Sequence, residues 1–258
     1  MSDRVRYERD GDLGVVTIAD PPLNLFDRGL VDGVSKAFDM AATDPPRALV
    51  LRAESKVFTA GVDVNVFHGL SETDARAFAV ELLAITRKIE ELAFPTLAVV
   101  HGLCLTAGFE LSLACDMIWA AESASFGLVE AVVGVTPFMG GTQRVAERAG
   151  PARARELVMT GGLYPADTLE RWNVINRVVA DADLEEKAMA FGHRLAAGPT
   201  LAHAATKRIV RAQTDEGTRA ADAATPAIAA GLFETEDLKE AVKTFLAEGP
   251  GKASFGGR

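Results

Sequence analysis

Apolar positions along this chain follow two rhythms. Through roughly the first two-thirds, short apolar runs alternate with longer stretches of helical period; after Ala182 only the helical period remains. The spacing predicts strands at residues 7–9 and 14–19 around the turn Asp10-Gly11-Asp12, with Asp20-Pro21-Pro22 ending the second. Asp27 is placed to N-cap a helix reaching about Ala42, with Leu30, Val34, Ala37 and Phe38 on one face. A short strand follows at 48–52. Residues 73–92 give the clearest amphipathic helix, since Phe78, Leu82, Ile85, Ile89 and Leu92 recur at steps of four and three. A buried strand is predicted at 96–100, a helix from about Ala107 to Cys115, and strands at 116–121 and 125–126. Gly140-Gly141-Thr142-Gln143-Arg144 opens a helix that Gly150-Pro151 breaks, and 175–179 is the last strand. Helices are then expected at 184–196, 200–212, 222–231 and 237–247. The reading is an α/β core over residues 1–198, built from recurring strand–strand–helix units, followed by a helical region over 199–258.

Composition narrows the function classes. The chain has 258 residues, 48% of them hydrophobic and 24% charged, which is enough for a large core. Its apolar runs, such as 97–100, are far too short to span a bilayer. The polar start Met1-Ser2-Asp3-Arg4 shows no apolar leader, and Gly257-Arg258 carries no lipidation or retention signal, so a cytoplasmic protein is expected. Cys104 and Cys115 sit in apolar surroundings outside any C-x-x-C and read as buried thiols. A net charge of −9 without a basic stripe argues against a nucleic-acid partner. It leaves room for an anionic ligand, because a few cations or a helix N-terminus can bind phosphate on an acidic protein. The four histidines show no ligand spacing, so no metal is expected, and no Ser–His–Asp order stands out. Gly140-Gly141 lacks the lysine and spacing of a phosphate loop.

Three places can carry chemistry. Ala60-Gly61-Val62-Asp63 follows a strand; its glycine allows a tight turn and close approach by a ligand, with the Val62 N–H aimed into a pocket, although taken alone the stretch is better explained as a plain turn. Gly102, Thr106, Ala107 and Gly108 precede a helix whose first N–H groups lack partners and carry the positive dipole end, which favours an oxyanion at the Ala107 N–H. Glu110 is read in the first turn of that helix, where a carboxylate also suits the dipole. It comes one residue late for a capping box. Glu130 stands alone among apolar neighbours, and such an acid either pairs or has a raised pKa suited to proton transfer.

In this order the motifs resemble the enoyl-CoA hydratase/isomerase family, the crotonase superfamily. The resemblance runs nearly the length of the chain. It spans Pro21-Pro22-Leu23-Asn24, Phe58-Thr59-Ala60-Gly61-Val62-Asp63, Val100-His101-Gly102, Glu110-Leu111-Ser112-Leu113-Ala114-Cys115-Asp116, Phe126-Gly127-Leu128-Val129-Glu130, Gly140-Gly141-Thr142-Gln143-Arg144 and Asn173-Val174-Ile175-Asn176. It implies a spiral of ββα units with a helical C-terminal trimerisation region, as a homotrimer or a dimer of trimers. It implies a coenzyme A thioester as substrate, with no further cofactor. By the same resemblance, Val62 and Ala107 supply the two oxyanion N–H groups, and Glu110 and Glu130 are the two hydratase glutamates. Ala60, Val62 and Val64 present backbone to the adenine, Lys56 lies near the cofactor's phosphates, Gly61, Gly108 of the glycine-rich turn and Phe138 count among the substrate-binding residues, and Lys252 and Phe255 belong to a C-terminal element that reaches a CoA site.

The chain departs from the family pattern at three points. Thr106-Ala107-Gly108 replaces a triple glycine, Phe138 follows Pro137 where a glycine helps to position water, and Asn65 replaces a second lysine. The expected reaction is hydration of trans-2-enoyl-CoA, with fatty-acid oxidation as the default setting. Double-bond isomerisation through Glu130, or acyl-CoA binding without turnover, are the alternatives that Phe138 keeps open.

Overall fold

The computed structural model describes residues 4–258; of the polar start, Met1-Ser2-Asp3 lies outside the described residues. The chain opens with a hairpin, β1 (Val5–Asp10) and β2 (Leu13–Ile18), paired antiparallel across a turn at Gly11, whose φ of +60° is a glycine conformation. Helix α1 (Arg28–Thr43) begins where Asp27 accepts from the N–H of Leu30, and buries Leu30, Val34, Ala37 and Phe38 as its period predicts. Strand β3 (Ala48–Ala53) is followed by α2 (Glu72–Glu91), whose Ser71 and Asp74 form a reciprocal capping box. Next come β4 (Thr96–Val100), the three-residue β5 (Leu103–Leu105), α3 (Thr106–Ala114), β6 (Met117–Ala121) and β7 (Ser125–Gly127).

Two sheets result. One has six strands in the order β1-β2-β3-β4-β6-β9, where β9 is Arg177–Val179, and every pairing after the hairpin is parallel. The other joins β5, β7 and β8 (Tyr164–Pro165). All residues of β2 and β4 are buried, which is why they read as unbroken apolar runs rather than as alternating ones. Helix α7 (Leu184–Ala196) packs on β3, β4 and β6, and α3 is buried along its whole length. Phe26, Phe38, Phe58, Phe109 and Phe126 are fully buried, and each contributes about 1.5–3 kcal/mol.

Residues 150–171 hold more structure than the pattern announces. Gly150-Pro151 does end α4 (Gly141–Ala149), but Pro151 then occupies the first turn of a new helix, α5 (Pro151–Thr160), and α6 (Ala166–Arg171) follows β8. Only Ala154 and Leu157 of α5 are buried, too few to set a readable period. The tail forms α8 (Thr200–Glu216), α9 (Thr218–Ala230) and α10 (Glu236–Glu248), which bury only Ala205, Ala221 and Asp237. Lys207 of α8 reaches Asp116 and the carbonyl of Phe94, tying the tail to the core. Among the described residues no helix is long and apolar enough to cross a membrane, and no group of three or more His, Cys, Asp or Glu is placed to hold a metal ion.

Candidate active site

Two chain segments that leave the sheet are stitched side by side. Thr59, in the segment after β3, pairs with Cys104 of β5 as an isolated parallel bridge; the N–H of Thr59 donates to the carbonyl of Leu103 (2.9 Å), and the N–H of Leu105 donates back to that of Thr59 (3.2 Å). Both segments run in the same direction, so the residues three places on, Val62 and Ala107, come out together beside one cavity. The Val62 arm is fixed from below by buried Asn24. Its Nδ2 donates to the carbonyls of Glu54, Val57 and Phe58 at 2.7, 3.1 and 3.0 Å. The N–H of Phe26 donates to the carbonyl of Gly61 (2.9 Å), and the N–H of Asp63 to that of Phe26 (3.1 Å). Among the described residues, the Val62 N–H between them has no acceptor. Ala107 is the second residue of α3, in a first turn that no side chain caps. Both N–H groups are therefore available to an oxygen in the cavity, one with the helix dipole behind it.

Glu110 is the fifth residue of α3, one place past the first-turn position read from sequence, because the helix starts at Thr106. It therefore does not serve its own helix end. Its Oε1 accepts from the N–H groups of Met139 (2.9 Å) and Gly141 (2.8 Å), so it caps the start of α4 instead. Glu130 begins a 3₁₀ turn, Glu130–Val133, and its Oε2 is buried with no hydrogen-bond partner among the described residues. The two residues are 2% and 7% exposed, so neither carboxyl has water enough to ionise at the usual pH. Burial pushes Glu110 up to about 8, the charge of Glu130 adds to the rise, and the two N–H bonds and Arg144 oppose it. Burial raises Glu130 to about 7. The pair is thus set to share a proton near neutral pH, with apparent values that belong to the pair.

The cavity between these groups has a volume of about 220 Å³. Among the described residues, the polar side chains of its wall are the two glutamates, Thr106 and Thr136. Its floor is apolar, with Phe26, Val31, Phe78 and Leu82 buried there, and Phe138 stands edge-on to Phe67 with ring centroids 6.0 Å apart. A carbonyl, an activated double bond beside it and a water could all be met here by donors and proton carriers at once.

The sequence from residue 8 to residue 257 matches the profile of enoyl-CoA hydratase/isomerase. The chain belongs to the enoyl-CoA hydratase/isomerase family. A probable enoyl-CoA hydratase of Rhizobium meliloti is 34% identical over 249 residues, covering 93% of this chain and 94% of that protein. A carnitinyl-CoA dehydratase of Salmonella typhimurium is 35% identical over 217 residues, or 83% of each chain. Among solved structures, enoyl-CoA hydratase subunit I of Geobacillus kaustophilus superposes with a TM-score of 0.92 at 31% identity, covering 99% of this chain and 98% of that one. The chain is an enzyme-family member with the crotonase fold, its spiral of ββα units and helical C-terminal region included.

Against that family frame, the other candidate residues divide. Ala60 and Val64 line the cavity with Val62, Val64 at its exposed mouth. Gly61, between Ala60 and Val62, is not among the residues of the wall. Gly108 is not in the wall at all; it is a packing glycine, since a Cβ there would sit 2.1 Å from Thr59 Cγ2. Lys56 is exposed on the segment before Phe58. Lys252 and Phe255 lie outside this cavity, on a tail that folds back on α10: the N–H groups of Gly256 and Gly257 donate to Asp237 at 2.7 and 2.9 Å. Sequence reasoning missed Phe78 and Leu82 as cavity residues, because helical period reports a buried face without saying whether the face meets a core or a void. It also quoted Arg144 within a motif without giving it a role.

Proposed function

We propose that the chain is an enoyl-CoA hydratase, a lyase that adds water across the double bond of a trans-2-enoyl-CoA. One observation carries the reading: two buried carboxyls with raised pKa values share a single cavity with the N–H groups of Val62 and Ala107. The thioester carbonyl accepts from both N–H groups and polarises the conjugated double bond. Each such donor contributes about 2.7–4 kcal/mol in well-studied enzymes. Water between Glu110 and Glu130 adds as hydroxide at Cβ and leaves its proton on one carboxylate. The other carboxyl delivers a proton at Cα, and the pair ends with the same number of protons. The CoA thioester is itself the substrate, so no separate cofactor is required. The apolar floor suits an uncharged acyl group.

The test is incubation with crotonyl-CoA in ¹⁸O-water followed by mass spectrometry. Labelled 3-hydroxybutyryl-CoA is the expected product; unchanged crotonyl-CoA and unchanged longer trans-2-enoyl-CoAs would remove the hydratase reading. Phe138 favours a second reading, isomerisation of the double bond with Glu130 as the proton shuttle, because its ring takes space beside the glutamates. A 3-enoyl-CoA substrate distinguishes the two. We also propose a homotrimer or dimer of trimers, supported by the apolar side chains that α8–α10 and their connections leave exposed, Val210, Phe233, Val242, Phe245 and Leu246 among them. Light scattering on the purified chain tests it.

A further inference from the structure

We propose that Arg144, held by Glu90, is a positioning residue for Glu110. The proposal rests on the reading that Glu110 works on substrate, and it concerns how that carboxyl is held.

The turn 139–141 carries both N–H groups that Glu110 accepts. The same turn is gripped from its other side. Arg144 Nη1 donates to the carbonyls of Met139 and Gly140, both at 3.2 Å, and Thr86 Oγ1 donates to that of Met139 at 2.9 Å. The remaining edge of the guanidinium is engaged by Glu90, with Nε to Oε1 at 2.7 Å and Nη2 to Oε2 at 2.6 Å. This is a two-point fork, which fixes the plane of the guanidinium as well as its place. Arg144 is only 8% exposed.

The glycines complete the arrangement. Gly140 has φ +94°, and a Cβ on it would lie 1.9 Å from Arg144 Nη1, so only glycine lets the guanidinium lie against the turn. A Cβ on Gly141 would come within 2.9 Å of Glu110 Cγ. Gly140-Gly141-Thr142-Gln143-Arg144 is thus one device: two glycines bring a turn against a carboxyl, and the arginine four residues after the first holds the turn's carbonyls away from it. The peptide units are the connection. The Gly140 carbonyl and the Gly141 N–H are one peptide unit, so drawing that carbonyl toward Arg144 leaves the Gly141 N–H facing Glu110, while the grip of Arg144 and Thr86 on the Met139 carbonyl fixes the residue whose own N–H is the second donor. Both Glu90 and Thr86 belong to α2, the helix whose Phe78 and Leu82 floor the cavity. The charged groups that act on Glu110 are Glu130, which opposes its ionisation, and Arg144, which favours it.

The experiment uses full-length protein with ¹³C-labelled glutamate carboxyls, the Glu110 signal being the one missing in Glu110→Gln. Titration by NMR is read alongside kcat and KM for hydration. Arg144→Met is expected to raise the Glu110 titration by about one unit. It is expected to lower kcat about 10- to 100-fold, as loss of a supporting partner does elsewhere, with KM changed much less. Arg144→Lys keeps the charge without the fork, so the titration stays near that of the parent while kcat still falls. A folded Arg144→Met protein with Glu110 titration and kcat both unchanged overturns the proposal, even if its Tm drops. Should Arg144→Met fail to fold, Thr86→Val carries the same two readouts in smaller measure, and no change in either overturns it. Should the parent chain hydrate no enoyl-CoA, the titration decides alone: a shift in Arg144→Met keeps the positioning role and removes only the hydratase reading.

Discussion

Gly61 and Thr106 stand in contact between the two N–H-bearing segments, each two places beyond the Thr59–Cys104 bridge. A Cβ built on Gly61 would lie 2.7 Å from Thr106 Oγ1 and 3.4 Å from Leu105 Cβ. Both residues have left-handed backbone, φ +104° at Gly61 and +45° at Thr106. For a β-branched residue that is uncommon and strained, and it gives a physical reason why the corresponding place in the family pattern favours glycine.

The first prediction follows from that contact. Gly61→Ala adds a methyl where there is no room and imposes a side chain on a glycine conformation. The two segments separate by a fraction of an ångström, and the N–H of Val62 moves relative to that of Ala107. Turnover is expected to fall by roughly 100-fold, the scale of losing one oxyanion donor. Steady-state kinetics on an accepted enoyl-CoA, with Tm recorded in parallel, check it; full activity would show that the two N–H groups need not be in register.

The glutamates come next. Glu110→Gln keeps an acceptor oxygen for Met139 and Gly141 but cannot exchange a proton, and Glu130→Gln removes a carboxyl with a partnerless oxygen. Each is expected to cost about 10²- to 10⁴-fold in kcat, the usual range for a positioned acid or base. Product formation in ¹⁸O-water is the readout. If Glu110→Gln alone retains conversion of a 3-enoyl-CoA, the isomerase reading gains and hydration loses.

Ionisation of this pair works against folding. An unfolded glutamate titrates near 4.5, whereas in the fold these two reach about 8 and about 7. The native state therefore holds its protons longer than the unfolded chain does. The contribution is fully present below about pH 4.5 and is lost as pH rises through 7 and then 8. Glu130→Gln, which has no proton to lose, is accordingly expected to be more stable than the parent at pH 8, by a few degrees in Tm for a chain of this size. The difference shrinks to nothing near pH 4.5. Thermal melts at both pH values test this, and a constant difference at both would place its origin in packing.

How far the sequence could be read depended on the kind of signal. Helices α1 and α2 bury one clean face each, so period located both to within a residue or two, with Asp27 marking the start of α1. Helix α3 is buried on every side, so no apolar face marks where it begins; its start at Thr106 rather than about Ala107 moves Glu110 from the fourth position to the fifth, just past the first turn. The pairing of Val62 with Ala107 was carried by family resemblance; its physical cause, the Thr59–Cys104 bridge, is a long-range contact between two segments that no local spacing announces. The family resemblance places Gly108 in the glycine-rich turn beside the substrate, and the sequence shows only that a side chain is absent there. The structure shows that the missing side chain makes room for Thr59. Arg144 was visible and unassigned, since its partner Glu90 lies 54 residues away on another helix.

The last prediction concerns Phe138. Its ring is half-buried, edge-on to Phe67, and shares the cavity wall with both glutamates. Its neighbour Met139 presents an N–H to Glu110, so the backbone here is held by a hydrogen bond that does not involve the ring. Phe138→Gly would then remove the ring without displacing the carboxyl. The cavity gains the space of an aromatic side chain beside the water position. Two consequences are expected in one experiment: hydration of crotonyl-CoA speeds up, because water gains access to Cβ, and longer trans-2-enoyl-CoAs are turned over in preference to shorter ones. Competition between a four-carbon and a ten-carbon substrate, followed by mass spectrometry, reads both. An unchanged chain-length preference would show that the acyl group lies along Phe26, Phe78 and Leu82 instead. A fall in hydration of both substrates, with folding intact, would mean that the ring orders the reacting groups rather than crowding them, and it would return Phe138 to the side of the argument that favours turnover.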